Sequence, residues 1–360
     1  MRVYNFSAGP SALPLEVLER ARNELTDFEG CGMSIMEMSH RSEAYEAVAH
    51  KSEALLRKLF AVPQNYRILF LQGGATAQFA AVPLNLSGPH RRAAFINTGI
   101  WSSKAIAEAE RYLDDVVIAA STESTGFNRV PEPGEWLDTG PVDYLHYTDN
   151  ETIGGVEFAS IPASGDTPLV CDMSSNILSR EMDISRFGLI YAGAQKNMGP
   201  SGITVVIVRD DLLGRARKET PSFMNYSIQS KNGSMLNTPP TYPWYLLGLV
   251  LEWLEGQGGV KAMEIQNERK SALLYSALDQ SSLFYNPVEP GSRSRMNIPF
   301  ILARPELESL FLQQAREAGL VNLEGHRSVG GFRASLYNAM PYEGVSALVS
   351  FMSDFEGRHA

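Results

Sequence analysis

Seven short apolar runs, most of them continuous rather than alternating with polar residues, constrain the fold of this chain more than any other feature. Segments with helical periodicity separate them, and the runs are 67–71, 93–96, 116–119, 144–147, 169–171, 188–192 and 203–208. Continuous runs of this length indicate strands that are buried on both faces, as in a largely parallel sheet covered by helices. The sequence therefore predicts an α/β fold with a mostly parallel, seven-stranded sheet between helices.

The pattern changes after residue 256, which suggests a second domain. The apolar segment 244–254 is followed by Gly256-Gln257-Gly258-Gly259, and a more polar helix comes next. The last hundred residues predict a strand at 296–302, a helix at 305–318, a strand at 331–337 and a final helix. We predict a large domain of residues 15–257, opening with a helix over 14–28, and a smaller α/β domain of residues 1–14 and 258–360.

Charge and composition argue against several classes of function. The formal net charge of −10 disfavours a nucleic-acid-binding surface, and the apolar runs are too short to span a membrane. Cys31 and Cys171 have no metal-ligand spacing, which predicts no metal site and fits a reducing compartment. With no apolar signal core at the start of the sequence, we expect a cytoplasmic protein.

One lysine stands apart from the others. The chain has eight lysines, and seven lie in polar or charged contexts that predict a solvated surface position. Lys196 instead follows a predicted buried strand, in Tyr191-Ala-Gly-Ala-Gln-Lys196. Open α/β sheets bind ligands at the carboxyl ends of their strands, where a desolvated amine can act as a Schiff-base nucleophile. The alternative is a loop lysine that caps the end of a strand.

Three further segments at strand ends suit a flat, phosphorylated cofactor. Asp172 follows the run 169–171 and would suit a pyridinium nitrogen, although a helix N-cap is an alternative. The turn at 73–76 precedes a helix whose free amides would bind phosphate, although Gly-Gly also occurs in such turns for steric reasons alone. Trp101 would stack on a flat ring or belong to the core.

Arginines in three loops suggest an anionic substrate. Arg41, Arg327 and Arg333 lie in segments that contain glycine or serine, in an otherwise acidic chain. Arginine binds carboxylate or phosphate through its planar fork. Any one of these arginines alone would fit an ordinary surface position, but a substrate with two anionic ends requires more than one.

Taken together, these segments resemble the phosphoserine aminotransferases, fold-type I pyridoxal phosphate enzymes of the class V aminotransferase group. The resemblance covers essentially the whole chain and rests on 5–10 (NFSAGP), 36–41 (MEMSHR), 192–197 (AGAQKN), 237–241 (NTPPT), 325–327 (GHR) and 333–340 (RASLYNAM). It implies reversible amino transfer between glutamate and 3-phosphohydroxypyruvate in serine biosynthesis. It also implies action on 3-hydroxy-2-oxo-4-phosphooxybutanoate in pyridoxine biosynthesis.

The resemblance also implies roles in binding pyridoxal 5'-phosphate. Lys196 would hold the cofactor as a Schiff base and move the substrate proton, Asp172 would pair with the pyridine nitrogen, Trp101 would stack on the ring, and Thr152 would contact its phenolic oxygen side. The cofactor phosphate would bind residues of this chain and of the second subunit of a homodimer: Ala75, Thr76 and Gln195, with Asn237 and Thr238 from the partner.

For the substrate, the resemblance implies that Arg41 and Arg333 bind the carboxylate. His326 and Arg327 would receive the phosphate across the dimer interface. Some members of the family carry an arginine where this chain has Thr76, so substrate affinity here would depend more on His326 and Arg327.

Three alternatives share the fold or the cofactor. A cysteine desulfurase needs a reactive cysteine near the C-terminal domain, and no cysteine follows Cys171. Another class V aminotransferase, of the alanine and glyoxylate type, would not need His326 and Arg327. A noncatalytic pyridoxal phosphate-binding protein would not need Lys196 for turnover.

Overall fold

The computed structural model describes residues 2–359. The helices are α1 (Leu15–Asn23), α2 (Glu43–Leu59), α3 (Gly74–Leu86), α4 (Ile100–Ala109), α5 (Tyr226–Lys231), α6 (Thr241–Gly256), α7 (Gly259–Gln280), α8 (Glu308–Glu317) and α9 (Tyr342–His359). The strands are β1 (Tyr4–Asn5), β2 (Tyr66–Leu71), β3 (Arg92–Asn97), β4 (Asp115–Ser121), β5 (Tyr144–Thr148), β6 (Asn150–Glu151), β7 (Val156–Glu157), β8 (Leu169–Asp172), β9 (Leu189–Gly193), β10 (Thr204–Arg209), β11 (Phe284–Tyr285), β12 (Asn297–Leu302), β13 (Leu320–Val321) and β14 (Phe332–Ser335).

The central sheet confirms the predicted α/β fold. Its seven strands lie in the order β2-β10-β9-β8-β5-β3-β4. Only β10 runs antiparallel to its neighbours in this sheet, and the other neighbouring pairs are parallel. The carboxyl ends of six strands therefore meet at one edge, where an open α/β sheet binds ligands.

Burial on both faces explains the continuous apolar runs. Successive residues of a strand point to opposite faces of the sheet. Along β9, Ile190 packs in the apolar cluster on one face, whereas Leu189 and Tyr191 pack in the cluster on the other face. Along β10, Val205 and Val206 divide in the same way. Neither face is exposed to water, so residues 189–192 of β9 and 205–208 of β10 are all apolar.

A separate apolar cluster lies in the C-terminal part of the chain. It contains Phe300, Phe311 and Phe332, and Phe6 from the N-terminal segment belongs to it. Helix α7 contributes to both cores, with its first turns in the large cluster and its second half in this one. On this basis we propose the predicted division into residues 15–257 and a smaller domain of residues 1–14 and 258–360.

Two expectations from the sequence are wrong. The helix predicted over 14–28 ends at Asn23, and Phe28 is buried at the start of a separate 3-10 turn that ends at Gly30, with Gly30 and Gly32 at positive φ. Lys270, predicted to be at the surface, is 2% exposed. Its ammonium donates to the backbone oxygens of residues 336, 337 and 340 at 2.9–3.1 Å, which satisfies all three of its protons. Burial lowers the pKa of Lys270 to about 7.

Within residues 2–359, no helix is long and apolar enough to cross a membrane. The same part of the chain has no cluster of three or more histidine, cysteine or acidic side chains that would hold a metal ion.

Candidate active site

A cavity of about 260 Å³ opens at the carboxyl edge of the central sheet. Its walls come from the turn after β2, the start of α4, the ends of β5 and β8, the segment from β6 to residue 153, the turn after β9, and four residues of the smaller domain. Nine of the predicted site residues line it: Ala75, Thr76, Trp101, Thr152, Asp172, Gln195, Lys196, His326 and Arg333.

Lys196 is held rigidly at this cavity. It lies in the turn after β9, and the N-terminal segment covers that turn. The Ser11 backbone N–H donates to the backbone oxygen of Gln195 at 3.0 Å, and the Ser11 hydroxyl donates to that of Lys196 at 2.6 Å. The Lys196 ammonium donates to Thr152 Oγ1 at 2.6 Å. Burial lowers the pKa of Lys196 to about 8, although the nearby Asp172 carboxylate favours the charged form. Burial therefore makes the neutral, nucleophilic form of this amine more populated near neutral pH than in an exposed lysine.

Asp172 faces the same cavity from the end of β8. No helix follows it, so the N-cap alternative does not apply, and the Ser174 N–H donates to its Oδ1 at 2.8 Å. Burial raises the pKa of Asp172, while the hydrogen bonds from Ser174 and the charge of Lys196 lower it. The site thus contains a buried carboxylate that a protonated ring nitrogen would neutralise.

Two buried side chains behind Asp172 could not be foreseen from the sequence. Tyr191 lies opposite Asp172 in the register of β8 and β9, and its hydroxyl is 2.9 Å from His146 Nε2. Burial lowers the pKa of His146 to about 3, so its imidazole is neutral. Both residues lie inside apolar strand runs, where the sequence pattern gives no sign of a polar contact.

Trp101 is fixed by another residue that the sequence did not single out, Glu151. One Glu151 oxygen accepts from the backbone N–H of Trp101 at 3.0 Å. The other accepts from the N–H and the hydroxyl of Ser102, both at 2.8 Å. A carboxylate is stabilised at a helix N-terminus, and here it holds the first turn of α4. Gly99 is required beside it, because an added Cβ would lie 2.5 Å from Glu151 Cδ.

The glycine turn presents the N-terminus of α3 to the cavity. Gly73 has φ +94° and Gly74 has φ +68°, which disfavours other residues. A Cβ on Gly73 would also lie 2.5 Å from the Cβ of Ala77. The first N–H groups of a helix have no partner within it and favour an anion together with the helix dipole. Ala75 and Thr76 are therefore placed to bind a phosphate group.

The cationic side chains divide into two sets. Arg333 lies at the cavity, where it donates to the Thr152 backbone oxygen at 3.3 Å, and burial lowers its pKa. His326 lines the cavity of its own chain, so it does not need to come from a second subunit. Neither Arg41 nor Arg327 lines this cavity. Within residues 2–359, no carboxylate forms an ion pair with any of these three arginines.

Asn237 and Thr238 also lie outside the cavity of their own chain. Asn237 lines a neighbouring groove beside Gly73. Gln72 Nε2 donates to the Thr238 backbone oxygen at 3.3 Å. Their predicted contact with a cofactor therefore remains a prediction that depends on a second subunit.

The residues at the cavity fit pyridoxal phosphate. An aldehyde, a ring nitrogen and a phosphate require an amine, a carboxylate and a cluster of N–H donors, and Lys196, Asp172 and the start of α3 provide these on one cavity. Trp101 provides a flat apolar surface there. Thr148 Oγ1 is buried in the cavity wall with no protein partner, as expected beside a polar ligand.

Comparisons with known proteins identify the family of this chain. The family model Aminotransferase class-V matches residues 3–348. The phosphoserine aminotransferase of Hahella chejuensis is 59% identical over 100% of this chain and 99% of its own length. That of Acinetobacter baylyi is 58% identical over 100% of both chains.

Solved structures show the same relationship. The phosphoserine aminotransferase of Bacillus circulans subsp. alkalophilus has a TM-score of 0.97 and 48% identity, covering 100% of this chain and 99% of that one. A pyridoxal phosphate-bound phosphoserine aminotransferase from Trichomonas vaginalis has a TM-score of 0.94 and 41% identity, covering 98% and 100%. An alanine–glyoxylate aminotransferase from Nostoc sp. shares the fold alone. It has 17% identity and a TM-score of 0.74, covering 98% of this chain and 95% of that one. The chain belongs to the class V aminotransferase family and, within it, to the phosphoserine aminotransferases.

Proposed function

We propose that this protein transfers the amino group of glutamate reversibly to 3-phosphohydroxypyruvate, giving O-phosphoserine and 2-oxoglutarate for serine biosynthesis. The protein is a pyridoxal phosphate-dependent aminotransferase. The observation that carries the proposal is the placement of Lys196, Asp172, His326 and Arg333 around one cavity. An amine, a buried carboxylate, a guanidinium and an imidazole suit an amino acid with a second anionic end.

When bound, pyridoxal phosphate supplies a ring that withdraws electrons from the substrate α-carbon. We assign Lys196 to holding the cofactor and to moving the α-proton, since its lowered pKa lets the amine accept and return a proton near neutral pH. Asp172 keeps a positive charge on the ring nitrogen. Trp101 and Thr152 orient the ring, and Ala75, Thr76 and Gln195 hold the phosphate.

At the substrate end, we assign Arg333 to the α-carboxylate and His326 to the distal anion. Arg41, Arg327, Asn237 and Thr238 would complete the site in a homodimer, with Asn237 and Thr238 coming from the second subunit. This proposal is supported by the position of Arg41 and Arg327, which lie outside their own cavity without a carboxylate partner in residues 2–359. Size measurement by light scattering would test the dimer.

An absorbance titration tests the reaction. Phosphoserine, serine and alanine are added in parallel to the yellow, cofactor-loaded protein. We expect low concentrations of phosphoserine to convert the visible band to the near-ultraviolet band of the amine form, with little response to the other two. Equal responses to all three would contradict phosphate recognition and indicate a general class V aminotransferase.

Two variants separate the roles of the site residues. Lys196→Ala should abolish turnover while the fold remains, because no other described amine lines the cavity. Replacing His326 and Arg327 with alanine should weaken phosphorylated substrates far more than glutamate. Near-normal turnover of the first variant, or equal losses for both substrates in the second, would refute these roles.

We further propose 3-hydroxy-2-oxo-4-phosphooxybutanoate as a second substrate, since it carries the same 2-oxo acid and phosphate groups. Direct assay with this compound would test the proposal. We also propose a cytoplasmic location, supported by the free thiols of Cys31 and Cys171, and fractionation of cells would test it.

A further inference from the structure

Lys104 lies beside Trp101, a residue of the cavity wall, although nothing in its sequence context distinguishes it from a surface lysine. It is on α4, one turn after Trp101, and its Nζ is 4.5 Å from the centroid of the Trp101 ring. The Trp101 ring itself lines the cavity. The Lys104 ammonium therefore lies next to a side chain that shapes the binding site.

Positive charges gather around His326, and Lys104 supplies one of them. Burial first, and then the charges of Arg333, Arg327 and Lys104, lower the pKa of His326. The charge of Lys104 is thus felt at a second cavity-lining side chain. In residues 2–359, no carboxylate forms an ion pair with Lys104, Arg327 or Arg333, although the chain carries a net charge of −10. Unneutralised cations grouped at a cavity mouth attract an anion.

We propose that Lys104 is a specificity-determining residue that binds the distal anion of the substrate together with His326 and favours a phosphate over a carboxylate. The inference rests on the proposed function. Lysine acts on an anion chiefly as a point charge, so its attraction grows with the charge of that anion. A phosphate monoester carries nearly two negative charges at pH 7, whereas the side chain of glutamate carries one.

The proposal also gives the chain a positive charge that Thr76 does not supply at the glycine turn. Lys104 is exposed, and a lysine ammonium is carried on a flexible four-carbon stem that can turn toward a bound anion. Lysine and arginine both carry the required charge, so the position should tolerate arginine but not a neutral residue of similar length.

The test compares Lys104→Met, Lys104→Arg and a control, Lys261→Met, in the cofactor-loaded protein. Lys261 is an exposed lysine on α7, away from the cavity. For Lys104→Met we expect KM for phosphoserine to rise roughly fivefold, the effect of losing one partly exposed charge pair. KM for glutamate should rise less than about twofold, and kcat should not change. Lys104→Arg and Lys261→Met should behave as the wild type does.

Binding of inorganic phosphate, measured by calorimetry, gives a readout independent of turnover. Its dissociation constant should rise about fivefold in Lys104→Met alone. Equal increases in KM for phosphoserine and glutamate, or no change in either KM or phosphate affinity, would overturn the role of Lys104 while leaving the proposed function intact. A wild-type protein that does not respond to phosphoserine would instead overturn the proposed function, and this inference with it.

Discussion

Replacing Glu151 with glutamine should loosen the start of α4 and with it the position of Trp101. The two Glu151 oxygens accept three hydrogen bonds from Trp101 and Ser102. A glutamine side chain of the same size has one oxygen and one NH₂ group. Whichever way it is oriented, its NH₂ group faces at least one N–H donor, so a buried donor is left without an acceptor.

The size of the effect follows from opposing contributions to stability. An unsatisfied buried donor costs about 1–3 kcal/mol, and losing a negative charge at a helix N-terminus costs about 0.3–1 kcal/mol. In the other direction, burial raises the pKa of Glu151, so a neutral side chain is easier to bury there. The lost hydrogen bond outweighs the easier burial, and we expect the free energy of unfolding to fall by about 2 kcal/mol.

Urea denaturation of the cofactor-loaded protein, followed by tryptophan fluorescence, measures this loss, and equilibrium dialysis measures cofactor affinity. Because Trp101 moves with the start of α4, the dissociation constant for pyridoxal phosphate should rise. Glu123→Gln is the control, since Glu123 is exposed and a surface change of this kind alters stability by less than about 0.5 kcal/mol. If Glu151→Gln loses no more stability than this control and binds cofactor equally well, the reasoning is wrong.

Three further predictions concern Lys196, Arg180 and Gly73. In cofactor-free protein, the rate of pyridoxal phosphate attachment should rise with pH around a midpoint near 8, because the neutral amine of Lys196 is the reactive form. Asp172→Asn should move this midpoint lower, because the Asp172 carboxylate favours the charged amine. Stopped-flow absorbance measures the rate. A midpoint near 10 in the wild type would contradict the effect of burial on this amine. Arg180 forms an ion pair with the buried Asp149 at 2.9 Å, and Arg180→Met leaves that carboxylate without its partner. The free energy of unfolding, measured in urea, should fall by about 3–5 kcal/mol. A loss below about 1 kcal/mol would show that the pair is dispensable. Gly73 has φ +94°, so Gly73→Ala should lower the free energy of unfolding by about 1–3 kcal/mol in the same assay and weaken cofactor binding. An unchanged cofactor affinity would argue against the phosphate role of the turn.

Much of the fold and part of the site were predictable from the sequence. Strands buried on both faces are almost continuously apolar, so the runs at 188–192 and 203–208 predicted the strands observed at 189–193 and 204–209 before any contact was known. Lys196 and Asp172 stood out because each interrupts this pattern at the carboxyl end of a strand. The resemblance to a known family then assigned roles that the apolar pattern could not.

The tertiary structure alone decided which side chains support that site. Glu151 meets Trp101 across 50 residues, Lys270 meets its three carbonyl groups across 66 to 70, and Lys104 lies near His326 although they belong to different parts of the chain. Periodicity reports only neighbours along the chain, within one helix or strand. Contacts between distant segments depend on how helices and strands pack, so the local sequence around Lys270 did not distinguish this buried lysine from a surface lysine.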